Sequence, residues 1–445
     1  MTERTENRGY HLPGKGATDW HVSLNENFEG IDADVQAALD GAEGFSPDDL
    51  DGEAISPGSV ETDVSRGREG SITWRVPSDY PTVSEAFDAV DRMRLPVGIS
   101  LDIVIESGHD LQTFVSKSQS NYRNVRIRSE DDVVGVADGF GGRNLFQFRH
   151  HTVAPRIDVL IDGRHDGENH PSRAFQVMDN SSIVFDEGAG AMYCDSGLFL
   201  QLGSRGEGYG AIFSEHDRRG VSCANGSWGY FQDLTASRNG QFGIRVGEAF
   251  VQCHFADLRN CPTGLWANQG ALVGAAEVDV SGSGTGINVH RGVLINARAA
   301  TVNDCSTGVV ARESLVNLDG ARSEGCGRFL DSQRASTVSC HGVDVSDTDD
   351  EGIRATRGST VHFEGAIENA GASGILARGG SRVNAEGRIL GSGDWDVEVQ
   401  SGSIVHARGG PGGLRTTSSG QYPAFEDLNV DPNEVTGQGI LFTDV

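Results

Sequence analysis

A repeat constrains this chain more than any other feature. From residue 239 onward the sequence reads NGQFGIRV, PTGLWANQ, GTGINVHR, STGVVARE, CGRFLDSQ, DEGIRATR, ASGILARG and GDWDVEVQ. Each copy carries an apolar anchor, at Ile244, Leu265, Ile287, Val309, Phe329, Ile353, Ile375 and Val397, with intervals of 21, 22, 22, 20, 24, 22 and 22 residues. A second apolar point follows seven to nine residues later, at Val251, Val273, Ile295, Val316, Val338, Val361, Val383 and Val405. Two short alternating segments per unit, punctuated by Gly, Asn, Ser and Asp, spell strands joined by turns, and no helical period runs through them. A unit of about 22 residues cannot bury its apolar face alone, but copies stacked at roughly 4.8 Å per coil form parallel sheets around one continuous core. The expected fold is all-β, a parallel β-helix. A leucine-rich repeat of similar length would need an LxxLxL frame that is missing here.

The smaller signals agree with coils. Asn239, Asn260, Asn303 and Asn369 sit five or six residues before an anchor, where left-handed backbone or side-chain ladders suit Asn. Cys261 and Cys305 each lie four residues before an anchor and read as small buried side chains in a turn. The seven cysteines form no CxxC pair and no zinc spacing, so neither metal nor cofactor is expected. Between 97 and 235 shorter strand patterns continue, with longer loops at 163–173 and 214–229. Ahead of them SDYPTVSEAFDAVD holds a capping box, Thr82 and Glu85, with Val83, Ala86, Phe87 and Val90 on one face. This predicts a helix over 82–92 that closes the open end of the stack, whose strand edges and core would otherwise meet water. The chain thus divides into 1–40, a linker 41–75, a β-helix 76–408 and a tail 409–445.

Charge narrows the partners. Asp and Glu number 64 against 36 Lys and Arg, for a net charge of -28, and only Lys15 and Lys117 are lysines. Such a chain repels phosphate backbones, and no basic run interrupts it, which argues against nucleic acid. Abundant carboxylates with almost no Lys resemble the composition bias of proteins from salt-loving archaea. No apolar run of 18 residues is present, so no membrane span is expected. Met1 to Gly9 is charged and lacks the apolar region of an export signal.

Residues 9–40 add an amphipathic pattern. Ser23 and Glu26 form a capping box, and Leu24, Phe28, Ile31, Val35 and Leu39 recur at helical spacing, giving an apolar stripe that packs on its own body, on other copies or on another protein. The stretch DWHVSLNENFEGID, beginning beside Trp20, is similar to the short attachment segment that opens many tail fibres and tail spikes of viruses infecting bacteria and haloarchaea. The cap helix and coils resemble the pectin-lyase-like right-handed β-helix of tail spikes and polysaccharide lyases. The resemblance implies a homo-oligomer, with a trimer favoured, carried on the virion surface. It would join a tail or baseplate protein through Trp20, Leu24, Phe28, Ile31 and Val35, and contact a host surface glycan or surface-layer protein.

Proteins of that kind cleave polysaccharide with paired carboxylates, or with calcium and a basic residue. Two loop constellations qualify by residue type: Asp158, Asp162, His165, Asp166, Glu168 and His170, then Glu215, His216, Asp217, Arg218 and Arg219. Two acids roughly 5–10 Å apart, one of them desolvated, serve as general acid and base. With 64 carboxylates in the chain, clustered loop acids are also the expected background. The primary expectation is therefore a receptor-binding structural protein. A polysaccharide depolymerase, lyase or glycosidase, using Asp158, Asp162, Glu215 or Asp217 is the alternative, and a cellular adhesin a third reading.

Overall fold

A computed structural model describes residues 71–93, 95, 98–137, 142–164, 170–394 and 396–408, with the backbone of the strands Glu3–Arg4, His11–Leu12 and Ile440–Asp444. The chain forms two units, Met1–Arg68 and Glu69–Val445. In the first, Glu3–Arg4 pairs antiparallel with His11–Leu12. Trp20, Leu24, Phe28, Ile31 and Val35, and with them the amphipathic helix expected from sequence, lie outside the described residues, as do His165, Asp166 and Glu168.

The second unit is a right-handed parallel β-helix of about 13 turns, each about 22 residues long. Its first sheet stacks 13 parallel strands from Val115–Ser118 to Val397–Val399. Its second sheet opens with Ser71–Val76, which overlaps the end of the segment 41–75 read from sequence as a linker, and runs through Ser100–Ile105 to Ile404–Arg408. The backbone of Ile440–Asp444 pairs in parallel with that last strand. A third, narrower face is a line of single bridges through Ile212, Thr235, Asp257, Asp279, Thr301 and Arg322.

Register explains the repeat. Ile244, Leu265, Ile287, Val309, Leu330, Ile353, Ile375 and Val397 pair in series across the first sheet, at most 3% exposed. One anchor is corrected: Leu330, not Phe329, pairs with both Val309 and Ile353, although both side chains are fully buried. The second apolar points form an equivalent ladder from Val251 to Val405. A side chain just ahead of the anchor would collide with the next coil: a Cβ on Gly264 would lie 2.8 Å from the Gly286 carbonyl oxygen. That close approach accounts for the recurring Thr-Gly pair.

The corners are built from left-handed residues and inward ladders. At the turn into the first sheet, Glu215, Arg238, Asn260, Asp304, Asp347 and Asn369 take φ between 54° and 60°. The next residue points inward and accepts from the coil before it. Thus the Cys194 amide donates to His216 Nδ1 at 3.1 Å, the His216 amide to Asn239 Oδ1 at 2.9 Å, and the Asn239 amide to Cys261 Sγ at 3.4 Å. Cys261 and Cys305 are buried members of this ladder.

The helix Val83–Arg92 covers one end of the stack. Thr82 Oγ1 accepts from the Glu85 amide at 3.2 Å, and Val83, Ala86, Phe87 and Val90 are buried. Phe87 meets the edge of Tyr122 at 4.9 Å between ring centres. Lys117, one of two lysines in the chain, donates to Asp88 at 2.6 Å and Asp91 at 2.8 Å, tying the helix to the first strand of the first sheet.

Candidate functional site

In a parallel coil, the residue after an inward anchor faces out, and stacking repeats that position every 4.8 Å or so. Residues some 22 apart in sequence therefore become a continuous column. On the first sheet one outward column runs Gln176, Phe199, Ser222, Arg245, Trp266 and Asn288. Beside it runs Arg173, Ser196, Arg219, Phe242 and Thr263. Over these five strands the sheet gathers arginines between aromatic rings.

The Arg173 guanidinium lies 4.2 Å from the centre of the Phe199 ring, and that of Arg245 lies 5.1 Å from Trp266. Phe242 and Trp266 are 5.7 Å apart. Among the described residues Arg173, Arg219 and Arg245 make no ion pair, while neighbouring Arg218 reaches Asp195 only at 3.8 Å. Burial lowers the pKa of Arg173, of Arg219 and of Arg245, and nearby guanidinium groups lower each further. For Arg219, where Arg245 and Arg218 follow burial as causes, the value falls to about 10. These are cations held close together, with Asp195 partly offsetting the effect at Arg173 and Arg219.

Polar atoms nearby also lack partners. Among the described residues Arg219 Nε, Ser222 Oγ, Asn268 Oδ1 and Asn288 Oδ1 are buried without a hydrogen bond, and Ser222 is fully buried. Such atoms cost free energy unless something supplies the missing contact. Farther along the sheet the pattern reverses. Arg354 makes two bonds to Asp331 at 3.1 and 2.6 Å, and Arg328 pairs with Glu351 at 2.5 Å and with Asp350. Two open clefts of about 420 Å³ flank the central patch: one lined by Phe114, Arg143, Gln147 and Arg149, the other by Gln333, Arg354, Arg357 and Arg378.

The carboxylates singled out by sequence occupy two other places. Asp158 faces out from the second sheet, 2.8 Å from Arg126, and Asp186 of the next coil holds Arg126 and Arg156. Burial, and then Asp186, raise the Asp158 pKa against the pull of Arg126. Asp162 pairs with Arg164 at 2.5 Å, Glu215 with Arg238, and the Arg164 guanidinium sits 3.9 Å above the Tyr193 ring. Asp217 is exposed, and its amide donates to the Cys194 carbonyl at 2.9 Å. Asp162, Glu215 and Asp217 therefore share one corner, while Asp158 stands apart. Glu215 has a left-handed backbone because every coil turns that way there. His216 is an interior ladder member whose pKa burial lowers to about 3. His170 Nδ1 lies 3.4 Å from the Gly163 carbonyl oxygen.

Of the second constellation, Arg219 belongs to the arginine patch and Arg218 adjoins it. Arg173, Phe199, Arg245 and Trp266 were missed, because no run of basic residues marks them. The signal lay in the repeat itself: aligning the position after each anchor displays Arg245 and Trp266 side by side.

No protein-family model and no curated protein matches the sequence. Solved structures match it at low identity and low TM-score. The Agl-KA catalytic domain is 9% identical over 87% of this chain and 70% of its own, with a TM-score of 0.40. The catalytic unit of a GH87 alpha-1,3-glucanase from Streptomyces thermodiastaticus is 12% identical over 88% and 72%, with a TM-score of 0.34. The A-module of the mannuronan C-5 epimerase AlgE6 from Azotobacter vinelandii is 13% identical over 82% and 94%, also at 0.34.

Proposed function

We propose that the protein is a glycan-binding β-helix whose first sheet holds an acidic polysaccharide along the coil axis. The observation that carries this reading is the group Arg173, Arg219 and Arg245, unpaired among the described residues and interleaved with Phe199, Phe242 and Trp266. Guanidinium groups match carboxylate and sulfate geometry, and aromatic rings stack on sugar faces. The patch spans five strands, or about 19 Å at 4.8 Å per step, which suits an extended chain better than a compact small molecule. A net charge of -28 repels a polyanion at long range, so recognition depends on contact distance and is favoured where salt screens the remainder. Binding is preferred to cleavage because Asp162 and Glu215 are each committed to an arginine.

In this reading the chain serves as a tail spike, fibre or other surface projection of a virus particle, attached through residues 1–40. The support is the DWHVSLNENFEGID segment. Titration calorimetry with uronate-containing, sulfated and neutral oligosaccharides tests the glycan. Acidic chains should bind, Arg219→Ala and Arg245→Ala should each weaken binding about tenfold or more, and Arg205→Ala on the second sheet should leave it unchanged. Equal affinity for neutral chains, or indifference to both substitutions, would overturn the assignment. Oligosaccharide release by the native protein would replace binding by cleavage. Deleting residues 1–60 should abolish attachment to particles while leaving glycan affinity intact.

A further inference from the structure

The second sheet carries a different surface. Trp228, Phe250, Leu272, Leu294 and Leu315 follow one another in direct register on five consecutive coils. Trp228 is 57% exposed, and the three leucines are 45%, 46% and 50% exposed. The Trp228 and Phe250 rings lie 5.0 Å apart. The adjacent outward column is Tyr230, Gln252, Gly274, Asn296 and Asn317, so ten outward residues over five coils carry no charge. In a chain of net charge -28 this neutral, partly apolar face stands out, and contiguous exposed apolar surface marks interaction sites.

We infer that this face packs against the same face of a second copy, about a twofold axis passing beside Leu272. Two arguments select that occupant. Side chains repeating at the coil spacing interdigitate only with a surface of the same period, and another copy supplies it. The rim is also self-complementary. The corner before each strand places exposed Glu248, Gln269 and Arg291 on successive coils. A twofold axis that reverses the coil direction sets Phe250 against Leu294, Trp228 against Leu315, and Glu248 of each copy beside Arg291 of the other. Such an arrangement is isologous and closes as a dimer. It leaves the arginine-bearing sheet open and depends neither on the glycan reading nor on the attachment segment. On the opposite rim the exposed Glu277 meets Glu277 of the other copy, so association strengthens as salt rises.

Sedimentation velocity on the full chain at low and at molar salt tests this. Dimers favoured by salt are expected, with the dissociation constant raised at least tenfold by Leu272→Asp and the circular dichroism unchanged. Glu248→Arg and Arg291→Glu should each weaken the dimer, and the double variant should restore it. Leu272→Cys should cross-link to itself on oxidation, whereas Trp228→Cys should cross-link only when mixed with Leu315→Cys. A monomer at both salt concentrations, or a trimer indifferent to Leu272→Asp, overturns the inference.

Discussion

At the scale of residues, His216 shows how a side chain with catalytic credentials becomes a structural one. Its neighbours in sequence, Glu215, Asp217 and Arg218, suggest an acid-base cluster, yet its ring points inward and accepts the Cys194 amide. Burial lowers its pKa from 6.5 to about 3. The unfolded chain takes up a proton as pH falls through 6.5, and the folded chain does so only near 3, so stability is full above that window and is lost within it. Each pH unit inside the window removes up to about 1.4 kcal/mol. Urea denaturation at pH 7 and pH 4.5 should show this loss, and His216→Asn, which can accept as Asn239 does in the next coil, should flatten the difference. An equal loss in the variant would assign the acid sensitivity elsewhere. The sequence showed the cluster but not the direction of the ring. That direction depends on which residue of the turn takes the left-handed backbone, here Glu215 with φ 60°.

At the scale of elements, the coil is set by contacts between neighbours rather than by strand length. Gly286 meets the Gly308 carbonyl at 2.6 Å and Val280 Cγ2 at 2.7 Å from a would-be Cβ, whereas at Gly270, with φ +71°, that position is open. Gly286→Ala forces one coil away from the next and should cost about 1–3 kcal/mol. Gly270→Ala meets only the left-handed backbone penalty, about 1–2 kcal/mol. Thermal unfolding of the two variants should rank Gly286→Ala as the less stable, and the reverse order would contradict packing as the reason for glycine there. Most of this element was legible, since anchors and second points repeat openly. The register failed once, at Phe329 and Leu330, where two adjacent apolar residues are both buried and spacing alone cannot choose between them. The arginine patch escaped because its members, Arg173, Arg219 and Arg245, are neighbours only after the chain has wound round.

For the whole molecule, charge and architecture set opposite demands. Ion pairs such as Arg238 with Glu215 and Arg388 with Glu368 link successive coils, but exposed pairs of this kind stabilise little. The excess of 28 negative charges is spread along the chain. Lowering salt from about 1 M to 0.1 M lengthens the screening distance from roughly 3 to 10 Å, so the melting temperature should fall. A melting temperature unchanged by salt would remove the halophilic reading. The solenoid and its closing helix were legible because both need only local period and capping signals, whereas Ser71–Val76 was hidden by a Gly- and Ser-rich approach. The serial register has one further consequence. Thr263 pairs with Thr285, so excising residues 263–284 would hand each ladder on intact, while losing a single residue inside a strand would turn the rest of that strand to the wrong face. Length in this molecule is quantised: a lineage can grow or shorten it only by whole windings, and each added winding moves its two ends apart by one strand spacing.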